Sequence, residues 1–270
     1  MRTLQFNQGF PLDRALITGM LKFTSTGEPT SNDAVGAYLG VNPYKVMGLR
    51  GWFCKLGLGS TTSKQYQLSP FGAAVAAHDP DLARPGTRWL LHYFLASEHE
   101  ERSEVWYQCF NAFLQPGIRF SREELREHVE RSFPEGRSNK DGVQKDTNEL
   151  INTYRQDSAL GSLGLMTQHA DKKLVAGLST PPELLIVAYV LFDMWRRRYN
   201  DTNTLRLSQL FSEPETPGRI FVATSAQVRD FILHLQAQGL LTYADTQHEP
   251  VTRRFHDDPT ALLEQYYQRS

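Results

Sequence analysis

Apolar positions recur at helical spacing in short blocks, separated by polar turns that carry caps and breakers. Leu12, Ala15, Leu16 and Met20 predict a first helix over Leu12 to Lys22, with Pro11 suited to its first turn. Thr24 to Thr30 reads as a polar linker. Ser31 is a good N-cap for a helix over Asn32 to Leu39. Gly40-Val41-Asn42 is a turn, after which Asn42 caps a second helix and Pro43 takes its first position. Within it Val46, Leu49, Phe53 and Leu56 predict one buried stripe, and Gly57 stops it. Tyr66-Gln67-Leu68 reads as a strand, and Pro70 opens another helix.

Arg84 to Ser97 and Ser103 to Leu114 predict two helices whose aromatics (Trp89, Tyr93, Phe94, Trp106, Tyr107, Phe110, Phe113) repeat at three- and four-residue spacing. That spacing favours a helix–helix core over base stacking. Ser121 with Glu124 is a capping-box pattern. A basic turn, PEGRSNK, leads to the helix DGVQKDTNELINTYR, and LGLMT with KLVAG reads as a hairpin. Pro181-Pro182 opens ELLIVAYVLFDMW, the most apolar helix and the expected centre of the fold. PGRIF predicts a strand, and SAQVRDFILHLQAQG a helix capped by Ser225 and stopped by Gly239. Leu240 to Ala244 and Val251 to Phe255 predict a hairpin, and Pro259 to Arg269 a closing helix.

Three times, then, paired helices precede a β-rich pair of segments. The expected fold is mainly α with short β-hairpin wings: several winged helix-turn-helix-like units around a helical core. The expected divisions are 1–80 for the first unit, 81–180 for a helical linker and the second, and 181–270 for a helix and the third. The units echo one another without a fixed period.

A helix-turn-helix suggests double-stranded DNA as partner, and charge then constrains how it is met. Net charge is −1 and the pI about 6.7, so this is no uniformly basic DNA coat, and positive charge must be segregated onto one face. Lys45, Arg50, Lys55 and Lys64 cluster in the first unit, Arg137, Lys140 and Lys145 in the second, and EHEERSE is mostly acid. Exposed residues at the start of the second helix meet base edges in such units, while wings meet phosphates. The DNA-binding candidates are therefore Asn42, Tyr44, Lys45 and Arg50, with Lys64 in the wing, and Asn139, Lys140, Gln144 and Lys145 in the second unit. Asp141 and Asp146 repel phosphate there. Arg196-Arg197-Arg198 reads as a solvated helix end that favours the helix dipole.

HExxH, GxSxG and a glycine-rich phosphate loop are all missing. His169-Asp171-Lys172 and His256-Asp257-Asp258 have nuclease-like residue types but read as surface polar groups. Cys54 and Cys109 read as reduced core thiols. MRTLQFNQGF is not a signal peptide, and no apolar run nears the roughly 20 residues of a membrane helix, so a cytoplasmic location is expected.

The ordered series FPLDRALITGML, AVGAYLGVNPYKVMGLRGWFCKLGL, LSPFG, TRWLLHYFLAS, WYQCFNAF, FSREEL, SLGLM, PPELLIVAYVLFDMW and PGRIF, from about Phe6 to Phe255, resembles the SspB-like family of bacterial DNA phosphorothioation and phage-defence islands. Its members are encoded beside PAPS-reductase-like genes. The resemblance implies a metal-dependent endonuclease, with Mg²⁺ or Mn²⁺, that nicks one DNA strand so that sulfur can enter the backbone. It further implies cysteine desulfurase, ATPase and ATP-pyrophosphatase-like partners. A Gly-His-Glu-Thr-Phe-like element is expected before the first helix; here FNQGFPL offers neither His nor Glu, and no catalytic residue carries across by motif. Two other readings stay open: a non-catalytic DNA-binding subunit that positions partner enzymes, and a winged-helix transcriptional regulator binding as a homodimer.

Overall fold

The computed structural model describes residues 2–62, 65–99, 102–133, 139–178 and 180–269. A two-residue strand β1 (Arg2–Thr3) precedes three helices, α1 (Arg14–Ser25), α2 (Asn32–Leu39) and α3 (Pro43–Lys55). The hairpin β2 (Gly59–Thr62) and β3 (Gln65–Leu68) follows, then α4 (Pro70–His78) and α5 (Pro85–Ala96). Next come β4 (Arg102–Ser103), parallel to β1, and α6 (Glu104–Gln108), which runs into a π-helical turn, Cys109–Phe113. The second unit comprises β5 (Arg119–Phe120), α7 (Arg122–Arg131), α8 (Lys140–Thr153), β6 (Met166–Gln168) and β7 (Leu174–Ala176). After α9 (Leu184–Arg198), the third comprises β8 (Thr204–Arg206), α10 (Leu207–Ser212), α11 (Pro217–Ile220), α12 (Ser225–Ala237), β9 (Leu241–Tyr243) and β10 (Pro250–Arg253). The helix α13 (Thr260–Gln268) closes the chain.

The chain is mainly helical with small antiparallel sheets. The second and third units share one sheet order: the strand that enters each unit pairs with the last strand of its hairpin, giving β5-β7-β6 and β8-β10-β9. In the first unit β2 and β3 form a two-stranded hairpin, and β1 pairs outside it with β4. Buried residues of all three join one apolar cluster, and α9 packs on α5, α11, α12 and α13 within it.

Local chemistry explains most boundaries. Asp13 caps α1 through the N–H groups of Ala15 and Leu16, so the helix begins later than Pro11. Ser121 and Glu124 form the expected capping box. On α12 the cap is Thr224, boxed with Gln227, one residue before Ser225. PGRIF is helical rather than a strand: Pro217 takes the first helical position, where its missing N–H costs nothing, and Gly218 packs against the carbonyl of Phe211. A short apolar run has no period of its own to separate helix from strand. The helix expected over Ser103 to Leu114 changes to π geometry at Cys109.

Three arrangements tie the units together. His92 on α5 is fully buried; Nδ1 lies 2.6 Å from the Tyr154 hydroxyl after α8, and Nε2 2.8 Å from the Ile220 carbonyl of α11. Burial pushes its pKa down to about 4, so the ring is neutral.

The segment before α1 straps α3 to α8. Gly48 and Gly51 on α3 lie against the carbonyls of Asn7 and Phe6, where a Cβ would not fit, and Trp52 Nε1–H donates to the Phe10 carbonyl at 2.9 Å. On α8, Asp146 accepts the Gln5 N–H at 2.8 Å and Glu149 the Leu12 N–H at 3.1 Å. Burial, helped by Glu149, pushes the Asp146 carboxyl up to about 6 despite the Gln5 hydrogen bond.

At the C-terminal end of α9, Glu215 is 1% exposed and accepts from Arg197 Nη2 at 2.8 Å and Arg198 Nη1 at 3.1 Å. Its backbone is left-handed (φ +67°), and its N–H donates to Asn111 Oδ1 at 2.6 Å. Asn111 in turn donates to the carbonyls of Ala96 and Tyr107. The triple arginine is therefore not simply a solvated helix end: Arg196 pairs with Asp258 at the surface, while Arg197 and Arg198 turn inward.

Two predictions follow from these ties. Asp146 has a folded-state pKa above the ordinary carboxylate value, so its contribution to stability is complete below about pH 4 and is lost as pH rises through about 6. Asp146→Asn, which keeps an acceptor for Gln5, should abolish that loss and gain up to ~3 kcal/mol at neutral pH, read from urea midpoints across pH. Glu215→Ala removes the carboxylate that Arg197 and Arg198 share, leaving Arg197 with Asp193, and should cost about 2 kcal/mol in the same urea assay, with Glu215→Gln intermediate.

Candidate functional site

A groove of about 950 Å³ opens between the first unit and the helical core. One wall is the C-terminal half of α3 with the β2–β3 hairpin; the other is the end of α5 with α9. From α3 it takes Arg50, Gly51, Cys54 and Lys55, which share one helix face, and from the hairpin Gly59, Ser60, Thr61 and Leu68. Phe94, Ser97, His99 and Arg197 complete it. Its described lining holds Arg50, Lys55, His99 and Arg197 and no Asp or Glu.

The walls can approach because Gly57, left-handed after α3 (φ +74°), leaves room for the Phe94 ring. Arg50 is held in place: Nη1 donates to Asn32 Oδ1 at 2.8 Å, and its guanidinium lies 4.0 Å from the Tyr66 ring centroid. Such stacking positions the planar donor fork that suits a phosphate. Cys54 borders the groove with Sγ 3.9 Å from Thr61 Oγ1, whereas Cys109 is the buried apolar thiol that both cysteines were expected to be.

Behind the far wall is a polar cluster. Asp193 on α9 accepts from the Tyr93 hydroxyl at 2.5 Å and Arg197 Nε at 2.9 Å, and faces His99 Nε2 at 3.5 Å. Burial opposes its charge, yet His99, Arg197 and Tyr93 together hold the carboxyl down to about 2. Burial and the Asp193 charge hold the Tyr93 phenol well above its ordinary range. Arg197 also donates to the Glu98 carbonyl and the Tyr93 hydroxyl. Its own pKa is raised: burial opposes the charge, but Tyr93, Asp193 and Glu215 outweigh it. The cluster is therefore a fixed ionic floor, with His99 as its outermost member.

The residues singled out from sequence fall in three places. Asn42 is the α3 N-cap, its Oδ1 accepting the Lys45 N–H at 2.7 Å. Tyr44 is 57% exposed and edge-on to Phe10, and Lys45 is half-buried beside it. Of the basic residues singled out in the first unit, Arg50 and Lys55 line the groove. Asn139 caps α8 through the Gly142 N–H at 2.9 Å, and Lys140, Gln144 and Lys145 are exposed on α8. Lys64, Arg137 and Ser138 lie outside the described residues. His99 was not singled out, and Asp193 and Arg197 were read only as a polar residue on a helix face and part of a solvated helix end; they sit four apart on α9, but Tyr93 and His99 are about a hundred residues away. Asp171 pairs with Arg119, and His256, Asp257 and Asp258 border a separate pocket of about 320 Å³.

Among the described residues, no helix is long and apolar enough to cross a membrane, and no three His, Cys, Asp or Glu side chains converge as a metal site. No curated protein matches the chain. A magnesium ion-bound SspB crystal structure has the same fold, with a TM-score of 0.84 and 20% identity over 99% of this chain and 88% of that one. A second SspB crystal structure aligns over the same shares with a TM-score of 0.80 and 21% identity. A family model described as a protein of unknown function, DUF4007, matches residues 25–267, and the chain belongs to that family.

Proposed function

We propose that this chain is a DNA-binding protein of a phosphorothioate DNA modification and defence system, and that it nicks one strand to admit sulfur. The observation that carries the reading is the groove: Arg50, Lys55, His99 and Arg197 line it with no described carboxylate among them. Such a lining suits the phosphates of a nucleic-acid backbone. The fold shared with SspB supports this choice of system.

In this reading α2, α3 and the β2–β3 hairpin act as a winged helix-turn-helix. Tyr44 and Lys45 at the exposed start of α3 meet the duplex, with Asn42 as its cap, while Arg50 and Lys55 hold phosphates in the groove. Lys140, Gln144 and Lys145, on the helix capped by Asn139, make a second contact. The protein works in the cytoplasm beside cysteine desulfurase, ATPase and ATP-pyrophosphatase-like partners.

Mg²⁺ or Mn²⁺ is the proposed cofactor. The described residues bring no set of three His, Cys, Asp or Glu ligands together. Mg²⁺ ordinarily uses one or two carboxylates plus substrate phosphates. The same observation favours a second reading, a non-catalytic subunit that positions partner enzymes on DNA.

The test has two readouts. Duplex affinity should fall steeply with salt, and Lys45→Glu plus Arg50→Glu should weaken it about tenfold or more across sequences, with a shallower salt slope. Unchanged binding removes α3 from the interface. Supercoiled plasmid should become open circle without linear product, with Mg²⁺ or Mn²⁺ present. Plasmid that is bound but stays supercoiled selects the positioning subunit.

A further inference from the structure

We propose that His99 is the general base of strand cleavage in this groove, acting on a DNA backbone phosphodiester; the inference rests on the nicking reading above. His99 follows α5, lines the groove, and its side chain is 26% exposed. Its ring packs on Phe94 (centroids 4.5 Å apart) and edge-on to Tyr93 (5.6 Å), which fixes its orientation. Nε2 faces Asp193 at 3.5 Å, and that carboxylate is itself pinned by Tyr93 and Arg197. A carboxylate behind one ring nitrogen keeps the proton there and leaves the other nitrogen with its lone pair. This is the arrangement of a base oriented by a third group, placed where Arg50 and Lys55 can hold the phosphate charge.

Three other histidines lack one part of this arrangement or another. Both nitrogens of His92 are engaged within the core. His234 faces Asp230 at 3.4 Å, but on a helix face where both side chains are more than half exposed. His256 shares its pocket with Asp257 and Asp258, which repel a phosphate.

In the step, Nδ1 of His99 takes a proton from water. The water oxygen bonds to phosphorus as the P–O bond to one sugar breaks. The departing sugar oxygen takes a proton from solvent, His99 returns its own to solvent, and each nick consumes one water. His99 is thus a catalytic residue, and Asp193 a positioning residue behind it.

The experiment compares wild type, His99→Ala and His99→Gln for plasmid nicking, duplex binding and thermal unfolding, with and without added imidazole. General-base loss should slow nicking by about 100-fold or more in both variants, with affinity and unfolding temperature close to wild type. Imidazole should restore part of the rate in His99→Ala, where it can occupy the vacated space, and not in His99→Gln. Nicking by His99→Ala within about threefold of wild type would overturn the assignment and leave the nicking reading intact. A loss that imidazole does not restore also overturns it, assigning His99 a structural part. Wild type that binds plasmid without nicking it overturns the nicking reading, and the role of His99 with it.

Discussion

The structure depends most on how α9 buries the charge at its end. A helix as apolar as LLIVAYVLFDMW must be covered nearly all round, yet it continues directly into three arginines. Two of them, Arg197 and Arg198, turn part of their length toward the core. Asp193 and Glu215 neutralise them from inside. An unpaired buried guanidinium would be far more costly than the ordering of these side chains. To deliver its carboxylate, Glu215 adopts a left-handed backbone, at a cost of order 1–3 kcal/mol, with Asn111 holding its N–H. Asn111 sits on the π-helical turn, so that irregular turn joins the same circuit.

The same circuit gives the groove its floor. Tyr93 and Arg197 are immobilised for structural reasons, and Asp193 is then ionised and fixed without any ligand. A side chain resting on such a floor needs little reorganisation to act. The opposite wall is fixed separately by the strap before α1, whose carbonyls lie on Gly48 and Gly51 of α3. With His92 clamping α8 and α11 onto α5, the walls hang from elements that have little freedom to shift.

Much of the helical layout was legible because it is local. Ser31, Asn42, Ser121 and Gly57 act over three or four residues, and each does in the structure what its type predicts. PGRIF was illegible because five residues carry too little pattern, and proline and glycine decided it. The candidate site was half legible. Arg50 stands out as a base-reading residue type on α3, but its direction into a groove depends on Asn32 and Tyr66. His99 sits in a segment that reads only as acidic. The feature that sets it apart, a carboxylate on α9, lies in a contact between residues 99 and 193 that no local period encodes.

Charge segregation reconciles an overall charge of −1 with a groove lined by basic side chains. Much of the acid is consumed away from it: on α7 Glu123 and Glu130 face Arg126, and in the third unit Asp245 and Glu249 face Arg229. Glu104 is buried against Arg102, and Asp193 and Glu215 against the α9 arginines. Charges paired in this way contribute little field at a distance beyond a Debye length of about 8 Å. The potential inside the groove is therefore set by the lining itself, where Arg50 and Lys55 stand on α3. A local potential of that kind needs no basic composition, because walls of low dielectric focus the field of the few charges they carry.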